Sequence, residues 1–223
     1  AMPVLAAAGI LSVCANALLA VELHDAFKKL QLVRIFPLGY VPRADASSAE
    51  SEAAAPFSVW GDSRALGWSI WLSRRYPLVT NFAHGGTTTA QLLLQLKHDV
   101  PVVSDIAIVQ IGINDLHPLG VLKSDRVLLL SRLQSNLREI CDILRHRSRI
   151  LVVTTILPPD HPPLYRRFAW DPETLAQIDV ANALIRTIAG ADGVAVLDAH
   201  GLLTDRDSFL SPEFRTPGSF LHV

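Results

Sequence analysis

Two continuous apolar runs constrain the fold of this chain more than any other feature. DIAIVQI covers residues 105–111 and ILVVTTI covers residues 150–156, and both are rich in β-branched side chains. A run without polar alternation is typical of a strand buried on both faces, as in a parallel sheet. The helical pattern between them, residues 124–147, is long enough for the crossover that parallel strands require. The chain is therefore predicted to contain a parallel sheet.

Shorter patterns extend this alternation over residues 57–223. Further strands are predicted at residues 57–60, 78–82 and 194–197, and further helices at residues 63–75, 89–97 and 171–189. Strands that alternate with crossover helices build a parallel sheet covered by helices on both faces. The predicted fold class is therefore α/β, in a single domain of ordinary size.

The chain before this domain has a different composition. No charged residue occurs from Pro3 to Val21, and a helix of that length would span about 28 Å, close to the ~30 Å hydrocarbon layer of a bilayer. Residues 3–21 are therefore predicted to form an apolar helix that associates with a membrane. A helix buried in the protein core and an atypical signal peptide are the alternatives, although a cleavable signal would carry basic residues before the apolar run.

Residues 42–56, PRADASSAESEAAAP, are small, polar and acidic, with proline at both ends. This composition is typical of a flexible linker. We therefore expect residues 1–41 to hold the apolar helix and a basic juxtamembrane stretch, residues 42–56 to be a linker, and residues 57–223 to be the folded domain. The localisation expected is membrane-associated, with the side of the membrane undecided.

Charge and cysteine content exclude several classes of protein. The chain has 20 Lys and Arg against 21 Asp and Glu, a balance that argues against nucleic acid as the main partner. Half of the residues are hydrophobic, which excludes a disordered chain. Two cysteines cannot form a disulfide framework or a thiolate metal site, and no pair of histidines has the spacing of metal ligands. We therefore predict no metal and no other cofactor.

Each of the first three predicted strands ends in a turn of small, hydrogen-bonding residues. These turns are residues 61–63 (GDS), 81–89 (NFAHGGTTT) and 112–115 (GIND). In an open parallel sheet, reactive groups collect at the carboxyl ends of the strands. Ser63 stands where a strand turns into a helix, with amides suited to a developing negative charge, although Ser and Asp at such positions are also ordinary N-caps. Gly85-Gly86 fits a turn, an anion nest or a close backbone approach to a ligand.

Together these turns resemble the motif blocks of the SGNH (GDSL-type) esterase and lipase family. The first block is VWGDSRALGW, whose Ser63 matches the family nucleophile. The second places Gly86 at the glycine whose N–H joins the oxyanion hole, and IGIND places Asn114 at the side-chain donor. FLHV near the C-terminus places His222 at the catalytic base. The resemblance covers essentially residues 57–223.

The resemblance implies both a fold and an activity. The fold is a three-layer αβα sandwich with a flavodoxin-like parallel sheet, the SGNH hydrolase fold. The activity is that of a serine esterase that hydrolyses acyl or acetyl esters of lipids or carbohydrates through an acyl-enzyme on Ser63. The substrate is then a small-molecule ester, and the oxyanion hole comprises the N–H of Ser63, the N–H of Gly86 and the amide of Asn114.

Two departures from the family pattern stand at the C-terminus. The acid of the triad should lie three residues before His222, where this chain has Ser219. Asp205 or Asp207 is a candidate substitute, and a Ser–His dyad is the other solution. The chain stops one residue after His222, so we expect a domain truncated at its end. His200 is a rival base, for which a supporting or capping role is favoured.

Two other functions remain open from the sequence. A membrane-associated SGNH O-acyltransferase acting on sugars would use the same serine. A catalytically decayed, ligand-binding SGNH domain would explain Ser219 and the abrupt end. The oligomeric state is not predicted.

Overall fold

The structure is a computed structural model. It describes residues 55–76, 78–98, 102–120, 123–162, 173–189 and 194–215, together with scattered helical positions between Cys14 and Leu23. Among these residues, no helix combines the length and the apolar character needed to cross a bilayer. Residues 42–54 of the predicted linker and most of residues 3–21 lie outside the described residues, so membrane association stays a prediction. The last two linker residues, Ala55 and Pro56, already belong to the first strand, so the predicted start of the folded domain at residue 57 is two residues late.

Strands and helices alternate along the described chain. The strands are β1 (Ala55–Gly61), β2 (Val79–Asn81), β3 (Ser104–Gln110), β4 (Ser148–Thr154) and β5 (Val194–Leu197). The α-helices are α1 (Ser63–Arg75), α2 (Thr89–His98), α3 (Ile113–Leu116), α4 (Arg126–Arg145), α5 (Glu173–Ala189) and α6 (Ala199–Leu203). Short 3₁₀ helices occupy His117–Gly120, Lys123–Asp125 and Pro212–Phe214.

The strands form one parallel sheet in the order β2-β1-β3-β4-β5. This is the flavodoxin-like order. Strand β2 lies on one side of β1 and β3 lies on the other, so the direction in which successive strands are added across the sheet reverses after β2. It confirms the predicted α/β sandwich. Because all five strands run the same way, their carboxyl ends and the turns that follow them meet at one edge of the sheet.

Helices cover the sheet on both faces. Trp60 and Val59 are neighbours in β1 and point to opposite faces, as successive strand residues do. Trp60 stacks on Phe82, with ring centroids 4.1 Å apart, in the larger hydrophobic cluster beneath α2, α4 and α5. Val59 packs with Ala65 of α1 in the smaller cluster on the other face. The buried residues of α4 recur at helical spacing: Leu129, Leu133, Leu137, Ile140, Cys141 and Leu144.

The sequence predictions differ from the structure mainly at element ends. The predicted helix 124–147 begins as a 3₁₀ turn at Lys123–Asp125, and its α-helical part is Arg126–Arg145. Strand β4 begins at Ser148, before the predicted residue 150, because Ser104 and Ser148 are already paired in register. Helices α3 and α6 were not predicted, since a single turn is too short to show a helical repeat.

The junction of β1 and α1 offers a matched pair of glycine substitutions. Gly61 has φ +147°, and a Cβ there would lie 1.9 Å from the Gln110 carbonyl oxygen. We expect Gly61→Ala to lower the melting temperature by at least about 10 °C. Gly67, inside α1, has open space where its Cβ would be. Gly67→Ala should stabilise the domain by about 1 kcal/mol, and equal melting temperatures for the two variants would contradict this account.

Candidate active site

The turn after β1 is shaped by a close approach to β3. The main-chain N–H of Asp62 donates to the carbonyl of Gln110 at 3.3 Å. The Asp62 carboxylate caps α1 by accepting the N–H of Arg64 at 2.9 Å. Asp62, not Ser63, is thus the N-cap residue, and Ser63 is the first residue of the helix. Ser63 is half-buried at the positive end of the helix dipole, which favours negative charge nearby.

The turn after β2 lies against Ser63. The N–H of His84 donates to the carbonyl of Gly61 at 3.0 Å, which ties the second turn to the first. A Cβ built on Gly85 would lie 3.9 Å from the Cβ of Ser63, in ordinary van der Waals contact. Gly86 has φ +76°, and a Cβ there would meet nothing within 4 Å. The Cβ position of Gly86 therefore borders open space, and the preceding residue Gly85 lies beside the serine.

The turn after β3 brings in Asn114. Gly112 has φ +126°, and a Cβ there would lie 2.8 Å from Cδ1 of Ile156, so only glycine fits. Helix α3 starts at the next residue and buries Asn114, whose Nδ2 donates to the Thr87 carbonyl at 3.0 Å. An amide nitrogen carries two hydrogens, so this bond orients the amide and leaves its second N–H for another acceptor.

The structure thus brings together three of the residues singled out in the sequence, Ser63, Gly86 and Asn114. They lie at the carboxyl edge of the sheet and come from three different turns. His222 and Ser219 lie outside the described residues, so the geometry of the predicted base stays a prediction. The role predicted for each of these residues is taken up as a proposal below.

The two candidate acids, Asp205 and Asp207, lie in one turn after α6. Oδ1 of Asp205 accepts the N–H of Asp207 at 2.9 Å and that of Phe209 at 3.0 Å. Its Oδ2 lies 3.8 Å from Nη2 of Arg215. Asp205 therefore shapes this turn, whereas Asp207 is exposed. Neither is described in contact with His222, so their role as acid stays a prediction.

The last described segment is fastened to the loop after β4. The N–H of Leu210 donates to the carbonyl of Pro159 at 2.9 Å, and Nε of Arg215 lies 3.1 Å from Oδ1 of Asp160. The rings of His161 and Phe209 approach with centroids 3.9 Å apart. Residues 205–215 are consequently held beside the carboxyl end of β4.

His200, the rival base, is buried in α6. The main-chain N–H of His200 donates to the Thr155 hydroxyl at 2.8 Å, and the ring Nδ1 lies 3.2 Å from the Thr204 hydroxyl. Burial lowers the pKa of the His200 imidazole, and the nearby Asp179 and Asp198 oppose this shift only in part. These contacts give His200 a supporting position within the fold.

Arg64 is a buried cation that the sequence reasoning did not single out. It follows Ser63 directly, is 2% exposed, and its Nη1 donates to the carbonyl of Leu157 in the loop after β4. Burial lowers the pKa of the guanidinium to about 10, although the negative charge of Asp62 acts to raise this pKa. Within the described chain, its Nε and Nη2 have no hydrogen-bond partner. The available sequence clue was an arginine directly after the GDS turn.

Asp115 is the second group that sequence reasoning missed as a site residue. It is fully buried and accepts the N–H of Thr89 at 3.0 Å and the Thr89 hydroxyl at 2.6 Å. Burial raises the pKa of the Asp115 carboxyl to about 7; the bonds from Thr89 lower it and the charge of Asp62 raises it further. Its place beside Asn114 in the IGIND motif was the available clue.

The described residues contain no group of three or more His, Cys, Asp or Glu side chains arranged to hold a metal ion. Cys14 is exposed and Cys141 is buried, and neither forms a disulfide.

The raised pKa of Asp115 predicts how stability depends on pH. An aspartate has a pKa near 4 when unfolded, and Asp115 in the folded chain has a pKa of about 7. Folding therefore takes up a proton between these values, and the wild type loses stability as the pH rises from about 4 to about 7. The amide side chain of the variant Asp115→Asn would not titrate.

The melting temperature of the wild type relative to Asp115→Asn should therefore fall steadily from about pH 4.5 to pH 7 and then level off. Thermal unfolding of both proteins in a matched buffer series measures this difference. A difference that is constant over the whole range would show that Asp115 does not titrate there.

Comparisons with known proteins bear on this arrangement. Solved structures with the same fold include a GDSL-like lipase from Bacteroides thetaiotaomicron (TM-score 0.61, 17% identity, 76% of this chain and 80% of that chain). An acetylxylan esterase from Geobacillus stearothermophilus is also similar (TM-score 0.52, 18% identity, 65% of this chain and 76% of that chain). No curated protein sequence matches the chain.

The model of one protein family matches most of the chain. It is that of the GDSL-like lipase/acylhydrolase family, and the match runs over residues 47–223. It begins within the predicted linker and includes all three turns as well as the segment that holds His222. The chain therefore belongs to the GDSL-like lipase/acylhydrolase family and is a carboxylic ester hydrolase.

Proposed function

We propose that this protein is a serine esterase that hydrolyses acyl or acetyl esters of lipids or carbohydrates through an acyl-enzyme on Ser63. The observation that supports the proposal is that the turns of Ser63, Gly86 and Asn114 meet at one edge of the sheet. Gly85 lies against Ser63, and the Asn114 amide donates to the Thr87 carbonyl. A nucleophile beside two hydrogen-bond donors from separate turns is the arrangement that acyl transfer requires.

The first half of the reaction forms the acyl-enzyme. His222 accepts the proton of the Ser63 hydroxyl while Oγ bonds to the ester carbonyl carbon, and the carbonyl oxygen becomes an oxyanion. Collapse of this intermediate breaks the bond to the alcohol oxygen, which takes the proton from His222 and leaves. In the second half, water attacks the acyl-enzyme by the same route, which releases the acid and restores Ser63.

The oxyanion is stabilised by three donors in this proposal. They are the N–H of Ser63, the N–H of Gly86 and the second N–H of Asn114. The first belongs to the first turn of α1, whose dipole adds positive potential. The second lies next to open space, and the third is oriented by the Thr87 carbonyl. Donors held in place before reaction need no reorganisation as charge develops.

The substrate class rests on similarity rather than on a described pocket. The similar structures include one named as a lipase and one named as an acetylxylan esterase. These names support acyl esters of lipids and acetyl esters of carbohydrates as the classes to examine first.

Covalent labelling tests the nucleophile. A fluorophosphonate probe phosphonylates an activated serine, so the wild type should be labelled and Ser63→Ala should not. Ser73→Ala is the matched control, since Ser73 lies exposed on the same helix and its hydroxyl bonds the Ile70 carbonyl. Absence of Ser63-dependent label on folded protein would overturn the proposal in favour of a ligand-binding domain.

The oxyanion hole is tested by Asn114→Ala. Loss of one such donor typically lowers kcat by about 10²–10³-fold. We expect that loss for hydrolysis of p-nitrophenyl acetate, with a fold that still shows a cooperative thermal transition. Asn114→Asp places an acceptor where a donor is needed and should be at least as impaired.

Turnover that needs a sugar acceptor and exceeds hydrolysis would identify an acyltransferase instead.

A further inference from the structure

The segment that carries Gly86 is anchored to α3 at two points. Thr87 accepts the amide of Asn114 at 3.0 Å, and Thr89 donates its N–H and its hydroxyl to Asp115. Asn114 and Asp115 are consecutive, so adjacent residues of one short helix bind the two ends of the same stretch. This stretch, residues 87–89, directly follows Gly86, so the two bonds fix the C-terminal side of the Gly86 turn against the helix that carries Asn114.

The direction of the hydroxyl proton of Thr89 is determined by a third side chain. Nδ2 of Asn136, on α4, donates to the Thr89 hydroxyl oxygen at 3.0 Å. An amide nitrogen can only donate, so the single proton of Thr89 points to Asp115, whose Oδ1 accepts it at 2.6 Å. The chain Asn136–Thr89–Asp115 thus links α4, the start of α2 and α3.

Water cannot take the place of the hydrogen bonds between Thr89 and Asp115. Thr89 and Asp115 are both fully buried, and Thr88 beside them is too. A buried carboxyl without hydrogen bonds is strongly unfavourable. The two bonds from Thr89 therefore stabilise the Asp115 carboxyl, and the carboxyl in turn fixes the position of Thr89. The N–H of Thr89 belongs to the first turn of α2, whose dipole favours the carboxylate. A second anchor on that turn is Thr88, whose N–H donates to Oε1 of Gln91 at 3.0 Å.

Gly86 lies in a turn that Thr87 closes, since the N–H and the hydroxyl of Thr87 donate to the His84 carbonyl at 3.4 and 2.9 Å. The φ of Gly86, +76°, is a conformation that glycine adopts freely, and its Cβ position borders open space. The peptide on which the proposed oxyanion hole depends is thus placed by its neighbours in the chain. Those neighbours are fixed by His84 on one side and by Thr87 and Thr89 on the other.

We propose that Asp115 is a positioning residue for ester hydrolysis, which acts through Thr89 to hold the Gly86 peptide at the correct distance from the Asn114 amide. Asn136 orients Thr89 for this purpose. This inference rests on the proposed function, in which Gly86 and Asn114 bind the oxyanion. It adds three residues, none of which touches the substrate.

The test is a comparison of Thr89→Val with Thr89→Ser. Valine keeps the shape of threonine and removes the hydroxyl, whereas serine keeps the hydroxyl. A misplacement of about 1 Å in a catalytic geometry can cost about 100-fold, so Thr89→Val should lower kcat between about 10-fold and 100-fold. KM for p-nitrophenyl acetate should change less than about threefold, because the ground-state ester gains little from the oxyanion hole. Thr89→Ser should retain most of the activity.

A second pair of variants changes the Asp115 carboxyl. Asp115→Asn keeps one oxygen at the Oδ1 position, which lies 3.2 Å from the N–H and 2.6 Å from the hydroxyl of Thr89, and should retain more of kcat than Asp115→Ala. Asp115→Ala removes the acceptor and should lose kcat as Thr89→Val does. Should Asp115→Ala fail to fold, Asn136→Leu provides the remaining variant, with a smaller loss of kcat because it disturbs only the orientation of the hydroxyl.

Affinity for a trifluoromethyl ketone separates positioning from a general loss of stability. This probe adds to the serine and places an oxyanion in the hole, so its affinity should fall in parallel with kcat in Thr89→Val. Ile140→Val, a core substitution on the same helix as Asn136, is the control that lowers stability and leaves both values unchanged.

Two results are decisive in different ways. Wild-type activity that depends on Ser63 and Asn114, together with an unaltered kcat in folded Thr89→Val, would overturn the positioning role and leave the proposed function intact. A wild type without Ser63-dependent activity would overturn the proposed function itself, whatever the Thr89 variants do. A parallel loss of kcat and ketone affinity, rescued by serine, is the result that supports the inference.

Discussion

The close approach of Gly61 to the carbonyl of Gln110 governs the geometry of the carboxyl edge of the sheet. Only a residue without Cβ lets the chain leave β1 so near to β3, since a methyl group would lie 1.9 Å from that oxygen. The turn of Ser63 consequently starts beside the turn of Asn114. The loop of Gly86 then closes on both, through the bond from His84 to Gly61 and the bond from Asn114 to Thr87.

Buried charges at this edge balance one another. Asp62 and Arg64 are almost fully buried and carry opposite charges on either side of Ser63. Asp115 is a third buried ionisable group, and its pKa of about 7 means that its carboxyl is only partly ionised at neutral pH. Burial and the charge of Asp62 oppose ionisation of Asp115, whereas the bonds from Thr89 favour it.

The candidate site was predictable to the extent that its residues lie in local motifs. Ser63, Gly86 and Asn114 each follow a predicted strand, and parallel strands must bring such turns to one edge. The role expected of each residue came from the resemblance of these turns to a known family. Asp115 is part of the IGIND motif, but its partner Thr89 is 26 residues away. Arg64 contacts Leu157, which is 93 residues away. No local pattern reports a bond across such a separation.

The sequence by itself determined the five strands, the four longer helices, their order and the chemistry of the turns, because helical and strand periodicity and turn preferences act between near neighbours in the chain. Only the tertiary structure decided which turn residues touch. Strand order and register place Gly61 against Gln110, and close packing then selects Asp62 over Ser63 as the cap and Thr89 as the partner of Asp115. Those choices depend on the distance and burial of groups that the chain itself keeps far apart.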